Sequence, residues 1–142
     1  MPSARRRTRA PRASSQIPPL RCGDCPMPAR PWELLQLGNC GSPIETQAGW
    51  LVLTHGVGAM RTYSLGAILL DLDDPRRVIA CSDGPILTPT AGRRDGYVPN
   101  VVYTCGACAH DDTLILPYGI GDQSISIATL SINALLAVLL PV

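Results

Sequence analysis

A chain of 142 residues is enough for one domain, and with 46% apolar and 16% charged residues it has the material for a core. Thirteen Gly and 14 Pro argue against a helical bundle, and aromatics limited to two Trp and four Tyr exclude modules that stack bases on an aromatic platform. The net charge of +1 conceals seven Arg against one acid in residues 1–30 and five Arg against ten acids after them, so the body is mildly acidic and no nucleic-acid partner is expected.

Residues 1–30 are rich in Arg and Pro and read as a leader, disordered or arising from a mis-set start codon. It holds no apolar stretch of the secretory kind, which points to a reducing, cytoplasmic compartment without disulfides. Cys22-Gly-Asp-Cys25 and Cys105-Gly-Ala-Cys108 have the spacing of zinc ligands, but 79 residues separate the pairs, against about 15–20 in a compact ribbon. No metal site is expected from them, and Cys105, closing an apolar run, reads as a small buried hydrophobe. A zinc-stapled domain with a basic arm stays as the remote alternative.

From Trp32 the pattern is short strands between turns. Apolar runs at 49–54 (GWLVLT) and 62–72 (TYSLGAILLDL) come first, with Gly66 as a bulge or close-packing point. Asp73-Asp74-Pro75 breaks the chain, and a strand follows at 78–82. A loop over 83–96, including Arg93-Arg94-Asp95, precedes strands at 98–104, 113–118 and 124–130. Ser131 caps a helix predicted over 133–140, whose uninterrupted apolar part is seven residues, against about 20 for a membrane span. No membrane partner is expected. Strands of this length and spacing define an all-β fold, and periodicity leaves sandwich, barrel and propeller open.

The ordered motifs narrow this. Gly41-Ser-Pro-Ile-Glu-Thr46, Gly49-Trp50-Leu-Val-Leu-Thr-His55-Gly56-Val57, Tyr63-Ser-Leu-Gly-Ala67 and Leu70-Asp-Leu-Asp-Asp-Pro75 come in sequence. Gly96-Tyr-Val-Pro-Asn-Val-Val102, Cys105-Gly-Ala107, Tyr118-Gly119 and Asp122 follow. Together, over about 31–142, they resemble glycoside hydrolase family 130, the β-mannoside phosphorylases and related β-mannosidases. The resemblance implies a partial five-bladed β-propeller, about the last two blades with a short C-terminal helix, and the missing N-terminal blades as partner.

It also implies a reaction: phosphate oxygen attacks the anomeric carbon of a β-mannoside with inversion, while a carboxylic acid protonates the leaving oxygen through a sugar hydroxyl. Inorganic phosphate is then a co-substrate, and no cofactor is implied. His55 matches the family's phosphate-contacting His, and Arg61 stands near it in sequence; local chemistry alone would make them a strand-end His and a loop Arg. Tyr63 and Asp122 match sugar-contacting positions, and Tyr103 ends a strand where its ring can stack on a sugar. Without the resemblance they read as two strand tyrosines and a turn Asp. Asp71, Asp73 and Asp74 are assigned no chemistry.

Two departures bear on activity. Family phosphorylases usually carry a Lys just before the Pro-Ile-Glu-Thr stretch, whereas residues 35–38 (LQLG) hold no cation, which weakens anion binding and leaves both phosphate and water open as acceptor. The family's general-acid Asp and arginine-bearing phosphate motif belong to the N-terminal blades and have no counterpart in this sequence. Hence no catalytic residue is expected in this chain, and a non-catalytic sugar- or phosphate-binding role is the alternative.

Overall fold

The computed structural model describes residues 30–90 and 98–142. Cys22, Cys25, Tyr97 and the Arg93-Arg94-Asp95 group lie outside them.

Two antiparallel sheets carry the described residues. The first is built on a long hairpin, β3 (Gly49–Val57) against β4 (Tyr63–Leu70), paired from Trp50↔Leu70 to Val57↔Tyr63. Two short strands, β1 (Gln36–Asn39) and β2 (Ile44–Thr46), share the other edge of β3, and β5 (Val78–Ser82) extends β4. The second sheet has the same plan: β6 (Val102–Tyr103) and β7 (Cys108–His110) share one edge of β8 (Thr113–Ile120), and β9 (Ser124–Ser131) takes the other. The shared plan is written in the chain, since Leu51-Val-Leu-Thr-His55-Gly56 recurs as Leu114-Ile-Leu-Pro-Tyr118-Gly119. These are two blades of a β-propeller.

Strand alternation explains how the blades meet. Leu51 and Leu53 on β3, with Leu65 and Ala67 on β4, face Val102, Leu114 and Leu116 of the second sheet across one core. Ile132 and Leu135 of α1 (Ile132–Ala137) and Leu139 close it. Burying each such leucine contributes roughly 2 kcal/mol. The opposite face of β3 and β4 is covered by Trp32, whose ring lies directly on Gly56 and Gly66; a Cβ at either glycine would collide with it. Gly66 is therefore a close-packing point, and the one irregularity of β4 falls at Leu69/Leu70. With both faces covered, β3 is buried along nearly its whole length, Thr54 and His55 included. Beside Trp32, buried Glu33 pairs with Arg30 at 3.4 Å, and Arg30 Nη2 donates to Cys81 Sγ at 3.0 Å.

Several expectations need correction. The strand predicted to stop at Thr54 continues through His55 and Gly56 to Val57, because β1 and β4 both offer it backbone partners. The strand predicted over 98–104 is regular only at Val102–Tyr103. The helix predicted over 133–140 ends at Ala137, and Leu139–Pro141 instead forms β10, paired with Ser82, Cys81 and Ala80 on the free edge of β5. Cys105 is exposed, and it is Cys40 and Cys81 that are buried. The Asp71 turn is as expected: Asp71 Oδ1 accepts from the N–H groups of Asp73 and Asp74. Among the described residues, no helix is long and apolar enough to cross a membrane.

Candidate functional site

The blades touch through two Cys-Gly turns. Gly41 and Gly106 adopt φ of +96° and +142°, and a Cβ on Gly41 would stand 2.6 Å from Cys105 O and 2.7 Å from Gly106 Cα. Only glycine permits both the left-handed backbone and the approach. Thr104, buried beside the second turn, fixes it: its hydroxyl lies 2.6 Å from Pro117 O and 2.7 Å from Gly106 O and accepts from Gly106 N–H at 3.2 Å.

His55 sits next to this junction. The β1–β3 register sets Gly38 beside it, and the β3–β4 register sets Leu65 on its other side. Tyr63, from β4, lies nearly parallel to the imidazole with ring centroids 6.2 Å apart. Tyr103, from the second blade, meets it edge-on at 5.2 Å. Cys40 Sγ approaches Nδ1 to 3.4 Å. Burial leaves His55 9% exposed and lowers its pKa, so the imidazole is held in its neutral form. Burial likewise pushes the Cys40 thiol up to about 11, against the opposing effect of the Thr104 N–H and with a small push from Cys105.

Tyr103, 39% exposed, passes from this cluster to an open groove of about 660 Å³ that it lines with Tyr118, Asp122 and Ile125. Asp122 stands in the three-residue turn (121–123) between β8 and β9; Gly121 and Asp122 have φ of +57° and +54°, and Gln123 N–H donates to Ile120 O at 3.1 Å. It is thus a turn residue and a groove residue at once. A larger opening of about 1170 Å³, at the α1 end among Glu45, Asp111 and Asp112, touches none of the His55 cluster.

Of the residues singled out from sequence, the fold brings His55, Tyr63 and Tyr103 into contact and sets Asp122 along the same groove as Tyr103. Arg61 is not among the contacts. It stands exposed on the 3-10 turn Ala59–Arg61 with φ of +53°, and among the described residues no carboxylate lies within ion-pair distance of it. Gly38, Cys40 and Thr104 were missed. The two-residue period of Gly38 and Cys40 is a signal for the first two, though only once β1 is known to be a strand.

Comparison with known proteins fixes the lineage. The profile of a family described as beta-1,4-mannooligosaccharide phosphorylase matches residues 17–140, starting inside the segment read above as a leader. A 1,2-beta-oligomannan phosphorylase of Thermoanaerobacter sp. (strain X514) is 44% identical over 103 residues, 72% of this chain and 35% of that protein. A 4-O-beta-D-mannosyl-D-glucose phosphorylase of Bacteroides fragilis is 38% identical over 102 residues, 69% of this chain and 26% of that protein. The solved structure of a beta-1,2-mannobiose phosphorylase from Listeria innocua, in complex with beta-1,2-mannobiose, superposes with a TM-score of 0.73 at 37% identity. It covers 79% of this chain and 32% of that one. The chain belongs to glycoside hydrolase family 130. It spans about a third or less of the length of the curated relatives it matches.

Proposed function

We propose that the chain supplies the C-terminal blades of an enzyme that transfers the mannosyl group of a β-mannoside to phosphate with inversion. In this reading, neutral His55 donates a hydrogen bond to the phosphate, with Arg61 reaching from its exposed turn to add charge. Tyr63, Tyr103 and Asp122 contact the sugar, the carboxylate accepting from two hydroxyls. The general acid comes from the N-terminal blades implied by the family resemblance, so turnover requires both parts. The observation that carries the reading is the packing of His55 between Tyr63 and Tyr103 at the blade junction, beside the Tyr103–Asp122 groove.

The test is calorimetric titration of the chain with phosphate and with β-1,2-mannobiose. Heats above dilution at millimolar ligand, lost for phosphate in His55→Ala and for the sugar in Asp122→Ala, uphold the reading. Absence of both heats overturns it. Hydrolysis is a second reading, favoured by one observation: β1, the strand beside His55, carries no cation where family phosphorylases hold a Lys near the phosphate. Sugar heats without phosphate heats would select it.

A further inference from the structure

His55 is held from one side by a sulfur. Cys40 follows β1, and its N–H donates to Leu53 O at 2.9 Å, which fixes the residue next to the His55 strand. Its side chain is buried, with Sγ 3.4 Å from His55 Nδ1, and the Thr104 N–H also faces that sulfur. A sulfur that already accepts from a backbone N–H has its S–H proton to give, and the acceptor in reach is Nδ1. Gly38 packs against the Cε1 edge between the two ring nitrogens, where a Cβ would collide with the ring. The imidazole thus has a sulfur partner at Nδ1, while among the described residues Nε2 has no hydrogen-bond partner.

We propose that Cys40 is a positioning residue, whose thiol donates to Nδ1 of His55 and holds the ring as the Nε2–H tautomer, ready to donate to an anion. This rests on the reading of His55 as a phosphate contact and adds what orients it. The high thiol pKa agrees with it, because the S–H stays in place throughout the neutral range. No titratable group other than Cys40, Tyr63 and Tyr103 contacts the ring among the described residues.

The experiment is a two-bond ¹H–¹⁵N correlation spectrum of the ¹⁵N-labelled full chain at pH 7.5, with and without inorganic phosphate. Wild-type His55 is expected to show an unprotonated Nδ1 and a protonated Nε2. Cys40→Ser, which keeps a donor, preserves that signature; Cys40→Ala replaces it with a tautomer mixture and weakens phosphate binding about fivefold, the worth of one hydrogen bond. Amide dispersion reports whether each variant folds, and the wild-type spectrum decides the tautomer even if Cys40→Ala does not. An Nδ1–H signature in the wild type, or an unchanged one in folded Cys40→Ala, overturns the proposal. A signature that follows Cys40 while phosphate leaves His55 unmoved upholds the positioning role and overturns the anion reading.

Discussion

His55 has exchanged most of its water for Gly38, Leu65 and two tyrosine rings, and a neutral imidazole tolerates that exchange better than a charged one. Its folded pKa is therefore lowered, and the unfolded chain takes up the proton first as the pH falls. The stabilising contribution is complete above the ordinary histidine value of about 6.5 and is lost as the pH drops through the lower folded value. Urea midpoints measured from pH 8 to pH 5 are expected to decline over that window, and His55→Gln to flatten the decline. Gly38 is the other sensitive residue. Gly38→Ala drives a methyl into the imidazole, with an expected cost of about 1–3 kcal/mol in urea unfolding and loss of the Tyr103 contact.

At the scale of elements, α1 is six residues long and has no stability of its own. It is held by its start: Ser131 Oγ accepts from Ala134 N–H at 3.0 Å and donates to Asp112 Oδ2 at 2.6 Å, while Asp112 Oδ1 accepts from Asn133 N–H at 2.8 Å. These bonds hold the exposed Asp112 carboxyl below its usual pKa, the Ser131 hydroxyl most of all. Their support is present above the ordinary carboxylate value of about 4 and is lost as the pH falls through the lower folded one. Ser131→Ala is expected to cost about 1 kcal/mol, read as a shift in urea midpoint. Because β10 follows the helix directly, the same variant should speed amide exchange at Leu139 and Leu140. The core strands set a larger scale: Leu114→Ala, at a fully buried position shared by both blades, is expected to cost about 2–5 kcal/mol.

For the whole molecule, the decisive feature is the face of the second blade turned away from the core. Ile125 and Ile127 are 83% and 66% exposed there, on the same side as Pro117 and Tyr103. An apolar sheet face of this kind, with β9 as a free edge among the described residues, favours association. Size-exclusion chromatography of the chain is expected to show self-association that rises with concentration. Ile125→Thr with Ile127→Thr should shift the profile toward monomer without lowering the melting temperature, since neither residue joins the core. A cooperative monomer at all concentrations would mean that this face is not adhesive.

The order of apolar runs and turn residues was enough, by itself, to define an all-β chain, most of its strands and the helix cap at Ser131, because strand period and capping are local properties. The family resemblance added His55, Tyr63 and Asp122, since spaced motifs survive in the linear sequence, and Tyr103 was legible from its place at a strand end. Pairing decided the rest. β1 and β7 are too short and polar to announce themselves and exist because β3 and β8 offer edges; β10 left the predicted helix for the free edge of β5. The Cys40–His55 contact and the Gly41–Gly106 approach join residues 15 and 65 positions apart. Cys40 came to be buried and Cys105 exposed for the same reason. Two similar Cys-Gly turns face different surroundings once the blades pack, and burial is a property of that packing rather than of the local sequence.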